Sequence, residues 1–405
     1  MTASPTPQRP GRLGALDTLR LVAAVSVMAF HFTAVNSPAW QFGILPQTFH
    51  GVGRATAYGT LGVPLFFVIS GFVMLMTAWG RDVPGFVASR VGRLYPAYWA
   101  AVAISLVIVV FLWRDNAWFQ GFSHPDALLN FTMFQETFGA QNLDKVYWTL
   151  SYEARFYVLV AVLMAIGMTR ARLITFAALW PVAAAIAQQM DSQVLVTVLM
   201  PDFAPFFAGG MLLYLIYRDG HDLFTWLLVG FEVVAGAHQV LPIYMSSLDN
   251  DTPFAPSATV IALLIVACFG LVALTTLTRV ASWNARWMTV AGALTYPLYL
   301  VHENLGWYVI HLLGNETGPW VAAGAAVACA VAAALALHHL VEKPLGPRLR
   351  AMTLRSLRST TARVAKEREP AVVRSGSDAR DARDAAPAVQ ATPAPAYGGV
   401  SLRAG

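Results

Sequence analysis

Arg20 and His31 lie eleven residues apart in the first long apolar segment of the chain. Eleven helical steps of 100° come to about 20° more than three full turns, so both side chains point to one face of a helix, about 16 Å apart along its axis. Asp17 lies on the same face, where it can neutralise Arg20. An ionisable group in hydrocarbon is costly, which favours a functional pair. The structural alternative is that Arg20 reaches the headgroups and His31 caps the helix end.

Three further ionisable residues are expected at a similar depth. Counted from the ends of their apolar segments, Glu153 lies about 9 Å below a membrane boundary, and His302 and Glu303 lie about 15 Å below it. His31 lies about 6 Å below the same boundary. Imidazole and carboxylate groups from three segments therefore share one half of the membrane, a combination suited to proton transfer. The alternatives are that Glu153 pairs with Arg155, and that His302 and Glu303 form hydrogen bonds between helices.

A pair of arginines is expected on the opposite side of the membrane. Arg90 and Arg93 are three residues apart, so a helical segment would present both guanidinium groups to one polyanion. The two arginines also precede an apolar segment, where basic residues are expected simply because they set the orientation of the chain in the membrane. The spacing therefore makes the two residues candidates for anion binding without deciding between the two roles.

The composition excludes a water-soluble protein. Of the 405 residues, 57% are hydrophobic and 12% are charged, against roughly 45–50% and about 25% in soluble domains. Apolar runs of about twenty residues are long enough to cross a hydrocarbon core of about 30 Å. The net charge of +5 comes from scattered Arg and Lys with no basic stripe, so the lipid bilayer is the expected partner and nucleic acid is not. No His or Cys cluster has metal-ligand spacing, so no metal and no bound cofactor are expected.

The apolar runs predict an all-α polytopic membrane protein of about ten transmembrane helices. The predicted spans are 15–35, 58–78, 96–113, 147–168, 173–190, 203–217, 223–241, 256–277, 289–313 and 319–341. Three regions follow: an N-terminal segment, 1–14, a membrane domain, 15–345, and a basic, disordered tail, 346–405.

Both termini are predicted to be cytoplasmic, because Lys and Arg concentrate in the connectors that would then face the cytoplasm. Those connectors contain ten such residues: Arg9, Arg12, Arg81, Arg90, Arg93, Arg170, Arg172, Arg218, Arg279 and Arg286. The opposite connectors contain three: Arg54, Arg114 and Lys145. An even number of spans returns the basic tail to the same side as the N-terminus.

Six motifs in chain order resemble acyltransferase family 3, a family of integral-membrane O-acyltransferases. They are Leu16–Arg20 with His31, Pro64–Phe72, Arg90–Pro96, Trp148–Tyr157, Leu294–His302 and Glu342–Pro344. Thr149 and Thr295 stand where the family usually has Ser, and both keep the hydroxyl group. The resemblance extends from Leu16 to about Pro344, nearly the whole membrane domain.

The resemblance implies transfer of an acyl group, often acetyl, from cytoplasmic acyl-CoA to a hydroxyl of a carbohydrate or small molecule. It implies that His31 is the catalytic histidine, with Arg20 as its motif partner beside Asp17. Arg90 and Arg93 would contact the donor phosphates, and Glu153 would be an essential carboxylate of the site. Further candidates for the substrate pocket are Ser70, Trp148, Tyr152, Tyr296, Tyr299, His302 and Glu303. The implied location is the cytoplasmic membrane of a bacterium.

The hypothesis is that His31 acts as general base on the acceptor hydroxyl, with Glu153 orienting the imidazole or stabilising its charged form. An acyl-histidine intermediate is a second route. The rival class is a multi-span transporter that uses the same charges for proton or substrate coupling. The absence of an internal inverted repeat counts against the transporter.

Overall fold

The computed structural model describes residues 13–40, 44–190 and 192–368. Every regular element in this part of the chain is a helix, which confirms the predicted all-α class. Most of the expected N-terminal segment, with Arg9 and Arg12, lies outside the described residues, as does the tail beyond residue 368.

Eleven long helices, numbered here in chain order, make up the described part of the protein. They are α1 (Gly14–Thr33), α2 (Gly62–Ala78), α3 (Val83–Val107), α4 (Tyr147–Ile166), α5 (Arg170–Gln189), α6 (Ala204–Asp219), α7 (Leu223–Asp251), α8 (Ala258–Leu277), α9 (Arg286–Thr317), α10 (Pro319–Ala336) and α11 (Lys343–Arg368). Shorter helical segments are Ile44–Thr48, His50–Thr56, Ala57–Leu61, Ala117–Phe119, His124–Asn130, Gln135–Phe138, Gln193–Leu199 and Arg279–Ser282. Wider π-type turns continue α3 over Ile108–Leu112 and α10 over Leu337–Glu342.

Helices α1 to α10 correspond one to one with the ten predicted spans. Nine helical segments of the described residues are both long and apolar enough to cross a membrane, and α9 is the exception. With 32 residues, α9 is about 48 Å long, which exceeds the hydrocarbon thickness. Its hydropathy is lowered by polar residues such as His302, Glu303 and Asn304, which are buried inside the protein. The chain is a multi-pass membrane protein.

Two helices extend well beyond their predicted spans. Helix α3 begins at Val83 rather than at residue 96, so Arg90 and Arg93 lie within a helix and share one side of it. Helix α7 continues to Asp251 rather than ending near residue 241. In both cases the added turns carry polar residues, which mark the end of an apolar run but not the end of a helix.

Glycines let α1 lie directly against α9. A Cβ on Gly292 would collide with the Asp17 carboxyl group, and one on Gly306 would collide with the ring of Phe32. Contacts at two points more than two turns apart hold the helices side by side along their length. This packing brings His31 of α1 next to His302 of α9.

The connector between α3 and α4 folds over one end of the helices. Asn130 accepts a hydrogen bond from the backbone N–H of Leu143 at 2.9 Å and donates to the carbonyl oxygens of Asp126 and Gln141, each at 2.8 Å. Asn130 and Asp144 are fully buried. The structure therefore packs part of this connector into the body of the protein.

The structure differs from the expected disordered tail over its first part. Helix α11 runs from Lys343 to Arg368, so residues 346–368 are helical. Their low hydropathy and high charge suggested disorder, yet the same segment has few residues that break a helix beyond Pro347.

Candidate active site

His31 and His302 form a hydrogen-bonded pair of imidazoles. His31 Nδ1 lies 3.0 Å from His302 Nε2, and the two rings are tilted with centroids 5.1 Å apart. The indole N–H of Trp307 donates to the carbonyl oxygen of His31 at 3.0 Å, which ties this turn of α1 to α9. The His31 side chain is 12% exposed, whereas His302 is fully buried. His31 is therefore the member of the pair that a substrate can reach.

The backbone of α9 determines which nitrogen of each ring carries hydrogen. His302 Nδ1 lies 2.9 Å from the carbonyl oxygen of Tyr299, which can only accept, so Nδ1 of His302 is the protonated nitrogen. A fully buried imidazole without a carboxylate partner is neutral, so its Nε2 is an acceptor. His31 must then donate from Nδ1. The remaining nitrogen, Nε2 of His31, is left with a free lone pair, as a general base requires.

Glu303 is the carboxylate closest to that nitrogen. Its Oε1 lies 3.7 Å from His31 Nε2 and has no hydrogen-bond partner among the described residues. Its Oε2 accepts a hydrogen bond of 2.8 Å from the backbone N–H of Val146. Asp144 Oδ1 also accepts from the Val146 N–H, at 3.3 Å, so a second buried carboxyl group lies beside Glu303.

Glu153 lies elsewhere in the interior. One of its oxygens accepts hydrogen bonds from the hydroxyl of Ser70, at 2.8 Å, and from the hydroxyl of Tyr157. No hydrogen bond or ion pair joins Glu153 to His31 within the described residues. The structure thus places Glu303, rather than Glu153, where it can act on the imidazole of His31. The sequence predicts both in the same half of the membrane, and predicted depth alone could not separate them.

Three cavities follow one another along α1. The basal cavity, of 420 Å³, lies near the beginning of α1 and is lined by Asp17 and Arg20. The central cavity, of 50 Å³, is lined by Arg20, Ser70 and Glu153. The distal cavity, of 440 Å³, lies near the end of α1 and is lined by His31 and Glu303. Arg20 and His31 therefore both line interior cavities, Arg20 the basal and central ones and His31 the distal one.

Shared walls join the three cavities. Arg20 and Tyr296 line both the basal and the central cavity. Val63 and Tyr299 line both the central and the distal cavity. The three cavities are therefore neighbours in a row from the beginning of α1 to His31, and the central one, beside Glu153, is the smallest.

The two predicted arginines of α3 differ in environment. Arg90 is buried, and its Nη1 lies 3.5 Å from Met74 Sδ while its Nη2 lies 3.4 Å from the hydroxyl of Ser89. Arg93 is half-buried and lines the basal cavity. Both arginines also line a separate cleft of 730 Å³ between α3 and α11.

Several of the predicted pocket residues line the cavities. They include Ser70, Trp148, Tyr296 and Tyr299. The Tyr299 hydroxyl is 2.9 Å from the hydroxyl of Thr149, and the Tyr296 hydroxyl donates to the Leu94 carbonyl oxygen at 3.2 Å. Tyr152 lines none of the cavities described here. Its ring packs against Trp148 and Phe203, and the Arg155 guanidinium lies 4.2 Å from its centroid. Tyr152 is therefore a packing residue next to the site.

Sequence reasoning missed several residues of the distal cavity, among them Lys145, Trp118 and Trp307. The Lys145 ammonium lies 3.3 Å from the centroid of the Trp118 ring. Burial lowers the pKa of Lys145, and the neighbouring Glu303 carboxylate opposes that shift. Trp307 follows Glu303 by four residues, so helical spacing could have found it. Lys145 and Trp118 lie in the connector between α3 and α4, whose fold no periodicity reveals.

Within the described residues no group of three or more His, Cys, Asp or Glu side chains is arranged to hold a metal ion.

A family model described as an acyltransferase domain, that of acyltransferase family 3, matches residues 13–339. The chain belongs to this family. It is 26% identical over 384 residues to the acyltransferase MdmB of Streptomyces mycarofaciens, a match that covers 84% of this chain and 92% of that protein. It is also 26% identical over 186 residues to the putative peptidoglycan O-acetyltransferase YrhL of Bacillus subtilis, over 39% of this chain and 25% of that protein. No solved structure matches significantly. The protein is a multi-pass membrane acyltransferase.

Proposed function

We propose that the protein transfers an acyl group, in the simplest case acetyl, from cytoplasmic acyl-CoA to a hydroxyl of a carbohydrate or glycosylated small molecule. The observation that carries this proposal is the row of cavities from the basal cavity, beside Arg93, to the free nitrogen of His31. A thioester donor and an acceptor can enter such a row from opposite ends. The names of the two relatives support acyl transfer, and the name of one supports acetyl transfer to a glycan hydroxyl.

The direction of entry follows from the charges of the connectors. The basic end of the cavity row lies on the same side as the beginning of α1, which the excess of Arg and Lys assigns to the cytoplasm. Acyl-CoA is anionic and would meet Arg90 and Arg93 there. The distal cavity then opens to the opposite side of a bacterial cell membrane.

The transfer proceeds by proton abstraction followed by acyl exchange. Nε2 of His31 takes the proton of the acceptor hydroxyl as its oxygen forms a bond to the thioester carbonyl carbon. The carbon–sulfur bond then breaks, and the CoA thiolate leaves with the electron pair. The imidazolium of His31 returns the proton to this sulfur, so the products are an ester and neutral CoA thiol. The Glu303 carboxylate, 3.7 Å from Nε2, stabilises the imidazolium while it exists.

His302 has a positioning role in this scheme. It accepts the hydrogen bond from Nδ1 of His31 and so keeps the hydrogen off Nε2. Without that acceptor, both tautomers of His31 are populated and the ring is free to turn. The hydrogen bond that His31 donates to His302 thus determines both the tautomer and the orientation of the base.

Glu153, with Ser70, lines the smallest cavity of the row and borders the path of the donor's acyl arm. Its hydrogen bonds to two hydroxyl groups hold the carboxylate against the wall, which keeps a 50 Å³ space open. Glu153 therefore acts on the donor path and not on the base.

Aromatic rings and polar groups line the distal cavity together, as a polyhydroxylated acceptor requires. Trp118, Trp148 and Trp307 supply flat apolar surfaces, and Asn142 and Asp251 supply hydrogen-bonding groups. Acceptor hydroxyls would be held between these groups with one of them directed at His31.

The test compares wild-type protein with His31→Ala in bacterial membranes supplied with labelled acetyl-CoA. We expect labelled glycans or metabolites with wild type and a loss of at least about a thousandfold with the variant. A melting temperature of the purified variant equal to that of wild type shows that the variant is folded. Wild-type rates in a folded His31→Ala protein would remove His31 from the chemistry. Label that stays on wild-type protein in the absence of acceptor indicates the acyl-histidine route instead of direct transfer.

A further inference from the structure

A second basic surface faces α3 across a cleft. The cleft has a volume of 730 Å³, and α11 contributes Lys343 and Arg350 to the same walls as Arg90 and Arg93 of α3. Lys343 and Arg350 are exposed. The Lys343 ammonium lies 3.1 Å from Nδ1 of His339, which leaves two of its three N–H donors for a ligand in the cleft. Four basic side chains from two helices thus border one space.

Two glycines produce this juxtaposition. A Cβ on Gly92 would lie 2.6 Å from Cβ of Arg350 and 2.8 Å from the carbonyl oxygen of Gly346, closer than real Cβ contacts. A Cβ on Gly346 would lie 2.9 Å from the carbonyl oxygen of Gly92. The backbones of α3 and α11 therefore touch at this pair, and the arginine next to Gly92 is brought close to Arg350.

Within the part of the chain that the structure describes, the arginines of the cleft are not neutralised by acidic partners. Among the described residues, Arg93 and Arg350 take part in no ion pair or hydrogen bond, and Nε of Arg90 has no partner. The one carboxylate that lines the cleft, Glu342, is 2.7 Å from Nδ1 of His338. Like charges held together in this way repel, and an anion in the cleft would relieve the repulsion.

The cleft adjoins the basal cavity, the first in the row of cavities along α1. Arg93, His338 and Glu342 line both the cleft and the basal cavity. A ligand whose charged part occupies the cleft can therefore extend an arm into the basal cavity. This arrangement suits a molecule with phosphate groups at one end and a long uncharged arm at the other.

We propose that Lys343 and Arg350 of α11, together with Arg93 of α3, form the binding site for the phosphate groups of the nucleotide part of the donor. The inference rests on the proposed acyl-CoA donor, and it adds Lys343 and Arg350 to the residues that bind this donor. Guanidinium groups bind phosphate through paired hydrogen bonds, and an ammonium adds a point charge. Arg90 lines the same cleft from a buried position against Met74 and adds its charge to the site.

The test measures binding without any need for an acceptor. Purified wild-type protein in a zwitterionic detergent is titrated with CoA, 3′-dephospho-CoA and pantetheine, and the melting temperature is followed. The same titrations are made with Lys343→Gln and Arg350→Gln. Arg348→Gln is the matched control, because Arg348 is exposed on the same helix but does not line the cleft. A parallel titration with phosphatidylglycerol tests a lipid headgroup as the source of the phosphate.

We expect CoA to stabilise wild type more than dephospho-CoA does, and pantetheine to stabilise it least. Each of the two cleft variants should weaken CoA binding by about tenfold or more, while Arg348→Gln and the response to pantetheine stay unchanged. If CoA binds wild type and binds both cleft variants equally well, the assignment of the cleft is wrong, whereas the proposed donor stands. If the variants lose only the response to phosphatidylglycerol, the cleft is a lipid site. If wild type binds no CoA, the proposed donor itself is wrong.

Discussion

The base that we propose for this site, His31, depends on a chain of three hydrogen-bonding groups rather than on one residue. A backbone carbonyl of α9 fixes the hydrogen on His302, and His302 in turn fixes the hydrogen on His31. Each step depends on an acceptor that cannot donate or on a ring too deeply buried to be charged. A histidine can therefore be a well-defined base in a membrane interior without an adjacent carboxylate on its Nδ1 side.

Replacing His302 tests that chain. His302→Gln should keep transfer within about tenfold of wild type, because its amide oxygen can accept from His31 Nδ1 where Nε2 stood. His302→Leu has no acceptor, and we expect kcat to fall by about a hundredfold or more with little change in KM for the donor. The rates of thiol release from acetyl-CoA in the presence of acceptor give both constants.

The difference in kcat between the two His302 variants distinguishes a positioning role from a packing role. A role in packing alone would make Leu the better replacement in an apolar interior. Equal losses in Gln and Leu, or a smaller loss in Leu, would therefore contradict the positioning role.

At the scale of helices, glycine contacts determine which faces meet. A Cβ on Gly71 of α2 would collide with the carbonyl oxygen of Phe207 in α6, and one on Gly210 would collide with that of Val68. Backbones this close leave no room for side chains between them. Because α2 carries Ser70, displacement of α2 would move a wall of the central cavity.

Gly71→Ala should lower the free energy of unfolding by about 2 kcal/mol or more, because rigid backbone must move to admit the methyl group. Gly230→Ala is the control, since nothing lies within 4 Å of the added atom and alanine favours the helix by up to about 1 kcal/mol. Thermal unfolding in detergent measures both. A Gly71→Ala protein as stable as Gly230→Ala would show that α2 and α6 are not in close contact.

The connector between α3 and α4 gives a prediction about pH. Burial raises the pKa of Asp144, so between about pH 4 and that raised value the folded protein holds a proton that the unfolded chain has lost. Stability contributed by this group therefore decreases as pH rises through that range. Asp144→Asn should show a shallower decrease in melting temperature between pH 4.5 and pH 7.5 than wild type.

Asp126 in the same connector is the matched control for Asp144. Hydrogen bonds from the Ser123 hydroxyl and from the backbone N–H groups of Ser123 and Gln141 lower its pKa, so its contribution is lost only when pH falls below about 4. Asp126→Asn should change the melting temperature by a constant amount over pH 4.5 to 7.5. Parallel slopes for wild type and Asp144→Asn would contradict the buried, protonated carboxyl group.

At the scale of the whole molecule, apolar length predicted the helices that span the membrane, and helical spacing led to the prediction that Arg20 and His31 share one face. These properties depend on one helix at a time. The contact between His31 and His302 joins residues 271 positions apart and depends on which helices pack together. For the same reason the sequence favoured Glu153 over Glu303 as the partner of His31. The roles of Lys145 and Trp118 depend on the fold of an irregular connector, whose sequence shows no hydrophobic periodicity.

The row of cavities predicts that donor binding and acyl transfer can be separated by one substitution. Val63 lies in the wall between the central and distal cavities, so Val63→Phe should narrow the passage to His31. We expect CoA to bind this variant as it binds wild type, because the basic cleft is untouched, while transfer falls by about a hundredfold or more. Val22→Phe is the control, since Val22 of α1 is 56% exposed on the outer surface. Transfer by a folded Val63→Phe protein at the wild-type rate would mean that the acyl group reaches His31 by another path.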